Sequence, residues 1–397
     1  MSIKGDATRH RPFVWCTFRA MIPPRFHREI EMRANLPLFL AIATLAATPA
    51  FSAQTVTTPP CTPTLGSGAA ADVATAVAAL RTMLTQDQLA AFERPLDLHS
   101  AIQWSNLPDG IVKRTTLRMG NLEPKQAAAA RQVMETALSA CGLAMLDEIR
   151  LADDFLERVD SRHIGWTSAN YFIAVLGNPG GKTPWILQFG GHHLAYNFTF
   201  NGRLPGATPM FLGTEPIRFE MKGAMHEPLP VQSTAMSRLA IAIAPHPEAK
   251  LSGTFTDVVK GVVMKVEPGQ MPTGGTDTGF PQSYPAGKND RGIEVGALTK
   301  EQRALVRAAI DSFATLPGAK IAAALRTAYE SPEAFNQTYV GYAGSPDLST
   351  LGSYVRIDGP RVWMELVVQK AVASPAELHY HALWRDKQSD YGGETGQ

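Results

Sequence analysis

The sequence predicts an α+β fold, with an antiparallel or mixed β core, helices on the N-terminal side and a helical insertion before the last strands. Three observations lead there. Helix start signals recur at Thr85, Pro124 and Thr299, a two-residue alternation runs from Leu194 to Asn201, and Asp358-Gly359 separates two apolar runs as a hairpin turn does. At 397 residues with 45% hydrophobic side chains, the chain can bury a large core. Its net charge of +1, without a long basic run, argues against a nucleic-acid partner.

In chain order, residues 1–31 are basic without a hydrophobic period, and read as a doubtful leader upstream of a true start at Met32. Residues 32–53 have the pattern of a signal peptide: Arg33, the apolar run LPLFLAIATLAA, then small residues for cleavage near Ala53. The stretch from Leu36 to Ala47 is shorter than the roughly 20 residues that span a bilayer, so no stable membrane anchor is expected after cleavage. A periplasmic or secreted location follows. Export leaves Cys61 and Cys141 in the mature chain, and in an oxidising compartment two cysteines suggest one disulfide.

Residues 54–68 are Thr/Pro-rich and read as an extended linker to a single large α+β domain over 69–393. Helices are expected at Asp72–Leu84 and at Thr85–Arg94, the second opened by the capping-box spacing of Thr85 and Gln88. Gln126–Ser139, with Pro124 at the first helical position, and Leu143–Val159 extend the helical part. From Trp166 the pattern turns to β, as a meander of TSANYFIAVLG, a turn at 177–181, WILQF and LAYNFTF. Residues 203–235 read as a long ordered loop, Met236–Ala244 as a short helix, Phe255–Val266 as one or two strands, and Glu267–Arg291 as a flexible connection. Helix returns from Thr299 to about Tyr329, and strands at Phe335–Tyr342, Tyr354–Ile357, Arg361–Gln369 and Glu377–Trp384. Gly120, Leu122, Gln126, Arg131 and Met134 fall in step with Gly296, Leu298, Gln302, Arg307 and Ile310. A degenerate duplication would do this, but two helices sharing one start signal is the preferred reading.

The chemistry centres on Trp185–Gly202, WILQFGGHHLAYNFTFNG. Alternation sets Leu194, Tyr196, Phe198 and Phe200 on one side and Ala195, Asn197, Thr199 and Asn201 on the other, as in a strand covered on one face. Extended backwards, the same register gives His192 to the core and His193 to the polar face beside Asn197. Near the C-terminus, Glu377, His379 and His381 alternate onto one face, and two imidazoles at i and i+2 can bind one metal ion. His193 would supply a third nitrogen if the two strands are neighbours.

Hairpin parity puts Tyr354 and Arg356 on the face of Trp363, Glu365 and Gln369. A carboxylate inside the apolar run MELVV is costly unless paired, and Arg356 is the evident partner. Glu365 is then either half of a structural ion pair or a carboxylate poised as general base or metal ligand. The leading expectation is a mononuclear divalent metal, zinc or copper, on His193, His379 and His381. Glu365 would act as base or fourth ligand, and Asp386 would orient or replace a ligand. Arg356 or Arg385 would hold an anionic group of a small-molecule substrate. The alternatives are a metal-free binding protein for a small anionic ligand and a purely structural polar cluster. The sequence has no P-loop, dinucleotide fingerprint, H-E-x-x-H or G-x-S-x-G motif.

Several short motifs together resemble one family. They are Gly191-His-His-Leu194 with Asn197, Pro209-Met-Phe-Leu-Gly213 with Glu215-Pro216, Tyr354-Val-Arg-Ile-Asp-Gly-Pro360, the Glu365 strand with Gln369, and His379-Tyr-His381 followed by Trp384-Arg-Asp386 and Asp390-Tyr-Gly392. In order and spacing, over roughly residues 70–393, they are similar to the domain of unknown function 3500 family of mostly exported bacterial proteins. Where members commonly show Asn-His at the start of the last motif, this chain has Leu378-His379. The resemblance implies a shared fold and a shared polar cluster that includes His192 and Glu215, and it implies no particular reaction.

Overall fold

The start signals seen in the sequence set the helices. Thr85 caps its helix through the backbone N–H of Gln88, whose side chain returns the bond, and Thr299 and Gln302 do the same. The computed structural model describes residues 66–204, 206–259, 283–374, 376–393 and 395. The expected leader, the signal peptide, Cys61 and most of the 267–291 connection lie outside the described residues.

The first elements are α1 (Ala70–Arg81), α2 (Gln86–Phe92), β1 (Glu93–Arg94), α3 (Leu98–Ala101), β2 (Leu117–Arg118), α4 (Pro124–Ala137) and α5 (Ala140–Val159). Four strands follow: β3 (Phe172–Gly177), β4 (Trp185–Gly191), β5 (Leu194–Phe200) and β6 (Met210–Thr214). A small hairpin of β7 (Phe219–Met221) and β8 (Ala224–His226) leads to α6 (Pro230–Ile243) and β9 (Ile293–Glu294). Then come α7 (Lys300–Ala314), α8 (Ala319–Glu330) and α9 (Pro332–Asn336). The last strands are β10 (Tyr339–Ala343), β11 (Tyr354–Asp358), β12 (Val362–Lys370) and β13 (Leu378–Asp386). One mixed sheet of 11 strands runs in the order β1-β3-β4-β5-β6-β13-β12-β11-β10-β9, with β2 beside β3. The class is α+β, as the sequence predicts.

Helices α1 and α4–α8 pack on one face of this sheet, against Leu194, Tyr196, Phe198 and their counterparts on neighbouring strands. The other face departs from expectation. Ala195, Asn197 and Thr199 are as buried as their neighbours, because Trp104, Phe255, Val258 and Tyr391 bring irregular segments across that side. The polar residues of β5, β12 and β13 therefore face an enclosed layer and not solvent.

Other expectations change as well. The supposed loop at 203–235 contains β6, which lies mid-sheet between β5 and β13, and α6 begins at Pro230 rather than Met236. Residues 332–336 are helical, so β10 starts at Tyr339 and not at Phe335. Residues 255–259 form no strand. The hairpin parity holds, with Arg356 opposite Glu365, but Gly359 pairs with Val362 and the turn residues are Pro360-Arg361. Residues 66–68 are already docked, Gly68 donating to the Thr136 carbonyl.

The sheet order favours duplication over a shared start signal. Strands β3-β4-β5-β6 and β10-β11-β12-β13 are meanders of the same order that meet back to back where β6 pairs antiparallel with β13. Each is preceded by an edge strand antiparallel to its first strand, β2 on β3 and β9 on β10. A 3-10 turn and a helical pair then follow each edge strand. Glu93 and Arg94 lie parallel to β3, and Lys250 lies parallel to Tyr342 of β10. The aligned glutamines do the same work: Gln126 donates to the Met83 carbonyl and Gln302 to that of Ala242, tying α4 to the turn after α1 and α7 to α6. The two helical pairs clasp each other through Ser139 N–H to Leu316 O and Gly318 N–H to Ala137 O.

Candidate metal centre

The centre is assembled where the β4–β5 hairpin meets β6 and β13. Gly191 pairs with Leu194, so His192 and His193 are the two turn residues and not a backward extension of β5. His193 takes a positive φ of 58°, a conformation that L residues seldom adopt. Its backbone is held on both sides, its N–H donating to Asn106 O at 3.1 Å and its carbonyl accepting from Gly213 N–H at 2.7 Å. The turn sends the two rings apart in function. His192 Nδ1 meets the buried Asp153 of α5 at 2.6 Å, and His193 points over β6 toward β13.

Gly213 makes room for that ring, since a Cβ there would lie 2.7 Å from His193 Cδ2. Directly opposite Gly213 stands His381, with His379 two residues away on the same face. His193 Nε2 and His379 Nε2 each lie 3.2 Å from His381 Nε2, and one nitrogen from each ring falls within 4.8 Å of the others. All three rings are buried.

Two carboxylates brace this cluster, and neither was singled out from the sequence. Asp257 Oδ1 lies 2.9 Å from His381 Nδ1 and also accepts from Val258 N–H. Burial works to raise its pKa, but the bonded imidazole wins and holds the carboxyl below its usual range. Asp153 accepts from Tyr171 Oη as well as facing His192, and Tyr171 also donates to the His192 carbonyl. The His192 ring stacks on that of His193, centroids 3.7 Å apart. A legible signal did exist for Asp153, which sits on the buried stripe of α5 with Leu146, Ile149 and Leu156. For Asp257, in an irregular segment, there was none.

Desolvation, reinforced by the neighbouring imidazoles, lowers His193 well below the ordinary histidine range and His379 to about 3. Both rings are therefore neutral at pH 7, the state a metal requires of an imidazole. The three rings fit an ion better than they fit one another. With Nδ1–H of His381 given to Asp257, its Nε2 has one lone pair, and that pair faces two other Nε2 atoms. If those are protonated, His379 keeps a bare Nδ1, which is buried without a hydrogen bond of ordinary geometry, beside the Lys370 backbone. Three lone pairs aimed at one ion remove the crowding, and tetrahedral Zn–N bonds of ~2.0–2.1 Å put nitrogens about 3.3 Å apart.

The remaining expected site residues are not brought to the histidines. Glu365 and Arg356 face each other across β11 and β12, but Glu365 accepts from Tyr354 Oη, Trp363 Nε1 and Val259 N–H, and Arg356 donates to Asp290 O. Arg385, four residues along β13 from His381 and so roughly 13 Å away by strand rise, is bonded to Asp390 at 2.7 Å. Asp386 accepts from Arg361, Tyr329 and the Gln388 and Ser389 N–H groups. Asn197 bridges Gln188 and Pro209 O within the sheet. Glu215, one residue past the end of β6, accepts from Ala373 N–H; burial raises its pKa against the Ala373 bond and the pull of His192 and His381.

A family model described as a protein of unknown function, DUF3500, matches residues 67–393. The chain belongs to the DUF3500 family. Comparison with curated proteins and with solved structures gives no match. The DUF3500 region contains the three histidines and both bracing carboxylates, and the family description names no reaction, so the chemistry rests on the geometry.

Proposed function

We propose that this protein binds one divalent metal ion, zinc or copper, through Nε2 of His193, His379 and His381, and that it is a metal-dependent, hydrolase-like enzyme. One observation carries the reading: three buried imidazoles from two distant segments each bring a nitrogen to within 4.8 Å of the others, with the Nε2 atoms of His193 and His379 both 3.2 Å from that of His381. Three imidazole ligands leave a fourth position for water or substrate, the pattern of a catalytic rather than a closed structural site. When bound, the ion would lower the pKa of a coordinated water and so supply a nucleophile near neutral pH. The chain's own contribution is to hold His193 and His379 neutral, to orient the His381 ring through Asp257, and to exclude bulk water. The small-molecule substrate of this reading reaches the centre without help from Arg356 or Arg385. An anionic preference therefore loses its main support.

The reading includes export, on the strength of the signal-like residues 32–53, and a Cys61–Cys141 disulfide in the mature protein. Among the described residues no helix is long and apolar enough to cross a membrane. Elemental analysis of the mature protein, purified without chelator, should give close to one metal per chain, lost in His381→Ala. A metal-free protein that also fails to take up zinc or copper on titration would end the proposal.

A further inference from the structure

We infer that Glu365 is a positioning residue of the metal centre, acting through the 255–259 segment that delivers Asp257 to His381. The inference rests on the proposed metal site and gives Glu365 a task different from base or ligand. Asp257 reaches His381, and the described residues 255–259 have no regular secondary structure of their own. Something else must hold it in place.

Two contacts do so, one at each end. Phe255 lies flat on the Tyr354 ring, centroids 3.9 Å apart and planes within 3°, and Val259 N–H donates to Glu365 Oε2 at 2.6 Å. The same Oε2 accepts from Tyr354 Oη at 2.7 Å, so one carboxylate fixes both anchors, while Oε1 accepts from Trp363 Nε1 at 2.5 Å. Between the anchors Val258 packs into the patch formed with Val367 and Leu383. Asp257 is left projecting toward His381 at 2.9 Å. A fully buried carboxylate is costly unless its oxygens are satisfied, and here two of its donors, Val259 N–H and Tyr354 Oη, are also the groups that seat the segment. Both oxygens accept, so an amide would turn an NH2 group onto one of the donors.

The test is a double-mutant cycle on the full mature protein, with zinc affinity measured by competition against a chromophoric chelator. Asp257→Asn removes the outer carboxylate, and losses of that kind run at about 10–100-fold in affinity. Glu365→Gln is expected to weaken zinc by a comparable factor, and the double variant to be no weaker than Asp257→Asn alone. Cobalt-loaded protein should show the same altered visible spectrum in both single variants. Wild-type affinity in Glu365→Gln, or losses that multiply in the double variant, would overturn the inference while leaving the metal site standing.

Should Glu365→Gln fail to fold, Tyr354→Phe removes one of its donors and keeps the ring stack, and a milder loss of affinity is expected. The metal-free protein supplies a readout independent of the metal. Nitrogen-15 shifts should place the His381 proton on Nδ1 in wild type and on a mixture of nitrogens in Glu365→Gln. An unchanged tautomer in that variant refutes the inference even if no metal binds.

Discussion

Gly213→Ala isolates the geometry of the centre from its chemistry, because the substitution replaces no ligand and alters no charge. The added Cβ would lie 2.7 Å from His193 Cδ2, 2.9 Å from Cγ and 3.1 Å from Cβ. Carbon atoms rest at about 3.5 Å or more, so the ring must retreat by roughly 0.8–1 Å. The backbones cannot part to absorb this. Gly213 N–H donates to His193 O at 2.7 Å, and β6 is paired with β5 on one side and β13 on the other. Retreat of the ring is opposed in turn by the His192 ring stacked 3.7 Å away.

Metal sites tolerate about ±0.2 Å in ligand distance, several times less than that displacement. Zinc affinity should therefore fall at least tenfold, about 1.4 kcal/mol or more, and the metal-free protein should lose about 1–3 kcal/mol to overpacking. Chelator competition gives the first quantity and urea unfolding of the metal-free protein the second. Gly181→Ala serves as the control, since a Cβ there meets nothing closer than 3.5 Å. A folded Gly213→Ala protein that binds zinc as tightly as wild type would refute the claim that His193 is a ligand held by that contact.

Zinc at 100 times its dissociation constant should stabilise the wild-type protein by about 2.7 kcal/mol, seen as a higher Tm that a chelator reverses; a Tm indifferent to both counts against the site. The metal-free protein should lose stability in acid. His379 is lowered to about 3 and His193 is lowered too, so below the unfolded value of about 6.5 the unfolded chain takes up protons that the folded one refuses. Stability should be full above pH ~6.5 and fall from there toward about 3, with a shallower fall in His379→Gln; equal pH slopes of the urea midpoint in the two proteins would reject this. If residues 32–53 are removed as proposed, the remaining chain should show no titratable thiol before reduction and two after it, and two free thiols without reductant would remove the proposed Cys61–Cys141 bond.

How much of this was legible varied with the physical signal. Local signals transferred intact: the Thr85 and Thr299 caps, Pro124 at a helix start, and the alternation of β5 and β13 all act within a few residues. The triad was legible in part, because His379 and His381 share a face by strand parity alone, whereas the meeting with His193 depends on β6 lying between the two strands. The sequence of β6 reads as loop because Pro209 and Gly213 bracket only three apolar residues, and nothing local says that a short segment will be central. The need of Glu365 for partners is legible from its apolar strand, but the sequence points to Arg356 for that part. The actual donors to Glu365, Tyr354, Trp363 and Val259, include a backbone group from a segment more than a hundred residues away. Asp257 shows the same limit, since its importance lies entirely in a tertiary contact.

A duplicated architecture accounts for finding one candidate histidine cluster of this kind, and not two, among the described residues. The bond from Gly213 N–H to His193 O has its counterpart in Lys387 N–H to Arg361 O, at 2.8 Å, so Arg361 stands in the place of His193 and Lys387 in the place of Gly213. A glycine is needed where an imidazole must lie on the strand, and the second half carries a long cation there instead. Its hairpin tip is closed by Arg361 on Asp386 and by Lys387 and Arg291 on Asp358, pairs whose carboxylates are fully buried. The same offset that relates Lys387 to Gly213 sets Ala207, which cannot bind an ion, against His381. Each half therefore contributes what the other lacks: the first a bare strand and a turn that aims one ring, the second a strand with two rings on one face. The centre exists only where the halves join, along β6 and β13. Metal affinity should on this account depend on the antiparallel seam between the repeats as strongly as on the histidines themselves.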